Sequence, residues 1–210
     1  MTTEANTTGV SGSNRTCGIR CTLICGGIGS GKSVVARTLR LKGYDVYDCD
    51  LEARRIMDGS PLIRSAIAEK LGAECLNADG TLCRPAIAAK VFASDEQRLW
   101  LNSLVHHHVA DDIRCWLHDA ASGKRRFVET AIPVTSGLTD ICNDIWLVTC
   151  PNSVRVERII GRDNCSPAQA QSRIDAQRHE FDSLPPETTE LIENDPATPI
   201  LLRIDSLLKK

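Results

Sequence analysis

Gly26-Gly27-Ile28-Gly29-Ser30-Gly31-Lys32-Ser33 fits the pattern of a glycine, four residues, then Gly-Lys and a Ser or Thr. An apolar, β-rich run from Ile19 to Cys25 precedes it, and a helical pattern from Val34 to Leu41 follows. That strand–loop–helix setting is the context in which such a loop wraps phosphates. The glycines let backbone N–H groups converge, and the following helix N-terminus adds partial positive charge. Gly27 to Ser33, with the Val34 N–H, form the candidate triphosphate cradle. Lys32 would reach the β- and γ-phosphates, and the Ser33 hydroxyl would ligate Mg²⁺.

Working outward, 210 residues suit one domain with room for a small subdomain. A formal charge of −2 gives no electrostatic case for nucleic acid or an anionic membrane. No apolar run approaches the ~20 residues that span a bilayer. Residues 1–16 are polar and lack the apolar segment of a signal peptide, so a disordered tail and a cytoplasmic protein are expected. The ten cysteines include no Cys-x-x-Cys pair and read as reduced small hydrophobes. Cys17, Cys21 and Cys25 share a strand face. Cys49, between two candidate site carboxylates, is the one expected to be reactive.

Tyr44 to Asp48 alternates like a second strand and ends in Asp48-Cys49-Asp50; Leu51 to Met57 is helical. Residues 58 to 125 read as almost wholly helical, with helix starts at Ser60-Pro61, Arg84-Pro85 and a Ser94/Gln97 capping box. Lys124 to Ile132 and Asp144 to Cys150 are the third and fourth strands. Helices then start at Pro151-Asn152-Ser153 and at Ser166-Pro167, and Phe181 to Pro186 is a loop. Leu191 to Asn194 is the fifth strand, and Thr198-Pro199 begins a terminal helix. Alternating strands and helices predict a parallel sheet covered on both faces. A parallel crossover needs only about a dozen residues, whereas roughly seventy-five separate strands two and three. The surplus is a helical insertion leaving from the edge where phosphates bind, and it is a candidate to hold a second substrate.

Asp48 and Asp50 share strand parity, so both carboxylates can face the phosphate loop. One could deprotonate an attacking hydroxyl, or the pair could simply cap the helix at Leu51. Glu129, in strand three beside strand one, could hold a water on Mg²⁺. Arg155, Arg158 and Arg162 lie on one helical face. Arg158 and Arg162 are candidates to stabilise transferring phosphoryl oxygens, and Arg155 reads as surface. His106-His107-His108 is not a metal tract, because consecutive helical residues point about 100° apart.

These stretches together resemble the dephospho-CoA kinase family from Gly18 to about Leu208. The matching segments are the Gly26–Ser33 loop, Asp48-Cys49-Asp50 with Ala53-Arg54, and Leu104-Val105-His106. Further matches are Arg158 to Asp163, Arg173-Ile174 with Gln177, and Ile192-Glu193-Asn194. The resemblance implies an α/β fold: a P-loop kinase-type parallel five-stranded sheet, an inserted helical substrate subdomain and a helical lid. The expected core is 17–57, 124–152 and 187–210, the CoA-binding insertion 58–123 and the lid 153–186. ATP and Mg²⁺ are the implied cofactors, and dephospho-CoA the small-molecule partner of a monomer or weak homo-oligomer. On the same resemblance Asp50 is the base facing the ribose 3′-hydroxyl, with Asp48, Arg54 and His106 on the acceptor side and Asn194 on the ATP side. The chain departs from the family at Cys25, Val34 and His107. After strand three, Pro133-Val134-Thr135 stands where many members read Leu-Phe-Glu. Another nucleoside or nucleotide kinase of similar build, or a nucleotide-binding protein without catalysis, are the alternatives.

Overall fold

Cys21-Thr22-Leu23-Ile24-Cys25 carries no charged side chain and one hydroxyl, Thr22, which accepts from Arg125 Nε at 2.9 Å; it forms the central strand of the sheet, wholly buried. The structure, a computed structural model, describes residues 20–119, 124–195, 197 and 199–210. The tail expected over 1–16, Cys17, Ile19 at the head of the first strand and Thr198 lie outside the described residues.

Strand β1 (Cys21–Cys25) leads through the glycine loop into α1 (Lys32–Leu41); β2 (Val46–Asp48) runs into α2 (Cys49–Gly59). Helices α3 (Pro61–Leu71), α4 (Arg84–Ala93) and α5 (Asp95–His118) precede β3 (Arg126–Glu129). After β4 (Asp144–Thr149) come α6 (Asn152–Asp163), α7 (Pro167–Asp175) and the short α8 (His179–Asp182). Strand β5 (Thr189–Glu193) and α9 (Ile200–Leu208) close the chain. The strand order is β2-β3-β1-β4-β5 and every pairing is parallel. Part of the span expected to be a loop, Phe181 to Pro186, begins inside α8.

The two-residue period of β1 sorts the core. Ile24 joins Phe127, Trp146, Val35 and Leu39 on the face covered by α1 and α9. Cys21, Leu23 and Cys25 join Val128, Ile145, Val109, Ile113 and Leu117 on the other. Cys21 and Cys25 therefore do share a face. Each fully buried side chain of this size contributes roughly 1.5–3 kcal/mol relative to exposure. A third cluster, Ile63, Ile67, Leu71, Cys75, Leu82 and Ile87, holds the insertion together against Trp100, Leu101 and Leu104 of α5. Helix α5 thus packs its first half on the insertion and its second half on the sheet, which fixes His106, midway along it, at their junction.

Helix starts follow their caps. Ser60 and Ser94 accept from the backbone three residues on, and Ser166 with Gln169 forms a reciprocal capping box. For Ser94 only the backbone half of the expected box forms. Register brings the strand ends together: Ile24 lies opposite Glu129, and Asp48 lies opposite Glu129 from the other side. The glycine loop, the start of α2 and the end of β3 consequently meet at one edge, beside the central strand where the chain order reverses.

Candidate active site

The loop between β1 and α1 is held from behind by its carbonyls. Arg155 Nε donates to Ile28 O at 2.9 Å, Arg158 Nη1 to Gly29 O at 3.2 Å and Asn194 Nδ2 to Ser30 O at 2.8 Å. A planar trans peptide whose C=O is tied to one side points the next N–H to the other. The N–H groups of Gly29 and Gly31 are thereby turned from the arginine side toward the cleft. Glycine is required at both. Gly29 has φ +78° and a Cβ there would sit 2.9 Å from Arg155 O; Gly31 has φ +96° and a Cβ would collide with the Asn194 amide.

The cleft in front of the loop encloses about 340 Å³. Lys32, Ser33, Asp50, Arg158, Arg162 and Gln177 line it together with Ile28, Gly29 and Gly31. Burial holds the Lys32 ammonium below its usual range, although the Glu129 and Asp50 carboxylates oppose this. Burial also raises the Glu129 carboxyl, partly countered by the Ser33 hydroxyl, which donates to Glu129 Oε1 at 3.0 Å. Ser30 Oγ is buried in the loop and, among the described residues, bonded to none.

A second, smaller pocket of about 90 Å³ adjoins the first and is lined by Asp50, Ala53, His106, Thr130, Ser136 and Leu138 among others. Asp50 lines both. It reaches that position from the first turn of α2, not from the strand, so the parity expected for Asp48 and Asp50 is corrected: β2 ends at Asp48 and a helical turn intervenes. Asp48 lines neither pocket, and its Oδ1 accepts the Leu51 N–H at 3.1 Å as the cap of α2. Arg54 is exposed on α2 and also lines neither. His106 faces the smaller pocket, with burial holding its imidazole below the usual value.

Other expectations are corrected. The Val34 N–H, expected in the cradle, here donates to Gly31 O at 2.9 Å in the first turn of α1. Cys49 is buried, and desolvation with the neighbouring Asp50 and Asp48 carboxylates pushes its thiol far above the reactive range. Cys25, before the loop, is likewise pushed up to about 12 by burial. The described cysteines are all free thiols. Among the described residues no group of three or more His, Cys, Asp or Glu could hold a metal ion, the triple histidine included. Nor is any helix long and apolar enough to cross a membrane.

Arg155 is not surface. Besides bracing Ile28 O, its guanidinium fills the space beside Gly27 that a Cβ would need. Arg158 lies along the same brace, reaching Ser30 O and Asn194 O as well as lining the cleft. Arg162, 62 % exposed, pairs with Asp163 at 2.7 Å at the cleft mouth. The helical spacing of the three arginines marked their common face, but not what it would meet. Gln177 Oε1 accepts the Ile28 N–H at 2.8 Å, a contact between segments 149 residues apart that nothing local signals. Arg155→Met is expected to raise KM for the nucleotide about tenfold, ~1.4 kcal/mol, with a smaller change in kcat, because one charge-assisted bond orienting the loop is lost. Initial rates at varied ATP check it, and an unchanged KM would return Arg155 to the surface.

The family model for dephospho-CoA kinase matches residues 20–198. A dephospho-CoA kinase of Porphyromonas gingivalis is 36 % identical over 157 residues, covering 75 % of this chain and 77 % of that one. A crystal structure from Thermus thermophilus superposes with a TM-score of 0.72 at 29 % identity, covering 90 % of this chain and 94 % of that one. A dephospho-CoA kinase from Campylobacter jejuni gives 0.66 at 20 % identity over 91 % and 96 % of the two chains, a likeness of fold. With a phosphate loop, an acidic residue shared by two adjoining pockets and matches of this extent, the chain belongs to the dephospho-CoA kinase family.

Proposed function

We propose that the chain transfers the γ-phosphoryl group of ATP to the 3′-hydroxyl of dephospho-CoA, giving coenzyme A and ADP. The observation that carries this reading is Asp50, the residue common to the phosphate cleft and the adjoining pocket at the root of the insertion. A carboxylate there can meet a hydroxyl from one side and a terminal phosphate from the other. The acceptor oxygen attacks the γ-phosphorus as the bond to the β,γ-bridging oxygen breaks, and the electron pair leaves with ADP. The hydroxyl proton passes to Asp50. The loop N–H groups and Lys32 hold the triphosphate, and Arg162 can exchange Asp163 for the transferring oxygens because it lines the cleft and its guanidinium is largely exposed. Arg158 acts mainly by fixing the loop.

The residues suit a Mg²⁺ ion that takes most of its ligands from phosphates and water. Ser33 Oγ and the Glu129 carboxylate offer hard oxygens 3.0 Å apart at the loop, with no closed cage of protein ligands among the described residues. Ser33 would bind the ion directly and Glu129 through water. When bound it neutralises charge on the phosphates. Ile28 packs with Ile159, Ala170 and Ile174, so α6 and α7 lie against the loop and are suited to act as a lid that keeps out water, which would otherwise accept the phosphoryl group. No feature of the charge balance favours nucleic acid, and a cytoplasmic setting suits free thiols and these soluble substrates.

ADP release measured with dephospho-CoA and with a panel of nucleosides and nucleotides tests the reading. Dephospho-CoA is expected to give the highest kcat/KM. Preference for a free nucleoside would replace it with another kinase of similar build, and nucleotide binding without turnover of any acceptor would leave a binding protein.

A further inference from the structure

Glu180 is 2 % exposed, yet it carries an ionisable group, and the proposed chemistry makes no use of it. A buried carboxylate persists only where hydrogen bonds replace its water. Here they come from one segment. Glu180 Oε2 accepts the Val134 N–H at 3.0 Å and the Thr135 N–H at 3.1 Å, and Oε1 accepts the Thr135 hydroxyl. Outside this segment the exposed His179 contributes, its Nε2 lying 3.3 Å from Oε1.

Thr135 is the junction of a longer chain of contacts. Its N–H and hydroxyl go to Glu180, and its backbone lies near the His106 imidazole. His106 and Ser136 both line the smaller pocket beside Asp50. β3 has ended at Glu129, and the backbone here is a turn held within itself by the Ser136 N–H and hydroxyl on Ile132 O and the Gly137 N–H on Val134 O; Glu180 ties that turn to α8. Glu180 also belongs to a turn that touches the donor side. Its N–H donates to Gln177 O at 3.1 Å, and the Gln177 side chain holds the Ile28 N–H of the phosphate loop.

We propose that Glu180 is a positioning residue for the acceptor: by fixing Val134 and Thr135, whose backbone lies near His106, it sets the wall of the pocket in which dephospho-CoA meets Asp50. It thereby ties the acceptor wall to the same turn that contacts the donor loop. The segment Pro133 to Thr135 itself carries no carboxylate, and one is supplied from α8. This rests on the acceptor assignment above, but the contact it invokes exists without substrate.

Three variants test it. Glu180→Gln keeps the size and can keep both amide bonds through its carbonyl oxygen, so both KM values are expected to stay within about threefold of wild type. Glu180→Leu removes every acceptor, and KM for dephospho-CoA is expected to rise at least about tenfold, the equivalent of one charge-assisted bond, with KM for ATP within about threefold. Thr135→Val deletes only the hydroxyl donor and is expected to raise the same constant about tenfold with KM for ATP unchanged, deciding the matter if Glu180→Leu does not fold. Equal rises in both KM values, or none, would overturn the proposal, since a merely structural role does not select the acceptor. Amide exchange without substrate is the independent readout. Protection at Val134 and Thr135 should fall in Glu180→Leu and persist in Glu180→Gln. If those amides are unaffected the contact is wrong, whereas if they respond and dephospho-CoA is no substrate, the acceptor assignment fails instead.

Discussion

Asp50→Asn is expected to lower kcat by about 10²–10⁴-fold, the range by which a positioned general base accelerates proton transfer. The amide is nearly the size of the carboxylate, and Asp50 is bonded to no cap, so α2 keeps its start: Asp48, not Asp50, accepts the Leu51 N–H. Nucleotide affinity should remain within about threefold, because the loop N–H groups and Lys32 are untouched and the variant removes an interaction made only with the reacting hydroxyl. Steady-state kinetics with dephospho-CoA, alongside calorimetric titration of ATP, separate the two quantities. If turnover stays within a few-fold of wild type, Asp50 is not the base, and the reading built on the two adjoining pockets loses its central residue. Loss of ATP binding alongside turnover would instead place Asp50 in the donor site.

What could be read from the sequence was what sits close along the chain. The Gly26–Ser33 loop is a local object whose glycines, lysine and helix start act within eight residues, and its flanking strand and helix form where expected. The five strands and the run of helices between β2 and β3 were also legible, because their periodicities are local. Apart from β3 beside β1, the order β2-β3-β1-β4-β5 was not, since pairing depends on contacts across most of the chain. Asp48 and Asp50 show how a short error in local structure changes a role. Side chains two apart share a face on a strand, but on a helix they diverge by about 200°, and the strand ends one residue before Cys49. The contacts of Arg155, Gln177 and Glu180 were missed for a different reason. Each acts on a partner 45 to 149 residues away, and helical spacing reveals which residues share a face without revealing what lies opposite. Glu180 carried one faint signal, an acid beside Phe181, which packs on the core of the sheet.

Lys32→Met is expected to lower kcat/KM by about 10²–10³-fold, the loss typical when one preorganised partner of transition-state charge is removed. Its effect on stability should run the other way. Burial depresses the ammonium pKa below the ordinary 10.5, which means the charged form is better solvated in the unfolded chain. The sign follows from proton counting. Between the depressed value and 10.5 the unfolded state binds more protons, so Lys32 makes the nucleotide-free protein gain stability as pH rises through that window and penalises it below. Methionine has nearly the same length and no charge to desolvate, so unliganded Lys32→Met should melt at or above the wild-type temperature at pH 7. ATP supplies the negative charge that the buried ammonium lacks, and for that reason saturating MgATP should raise Tm in wild type and much less in the variant. Thermal melts with and without nucleotide read both quantities in one experiment. A variant that melts lower and keeps its full ATP-induced shift would show that Lys32 serves the fold, with Glu129 and Asp50 as its partners, and not the phosphates.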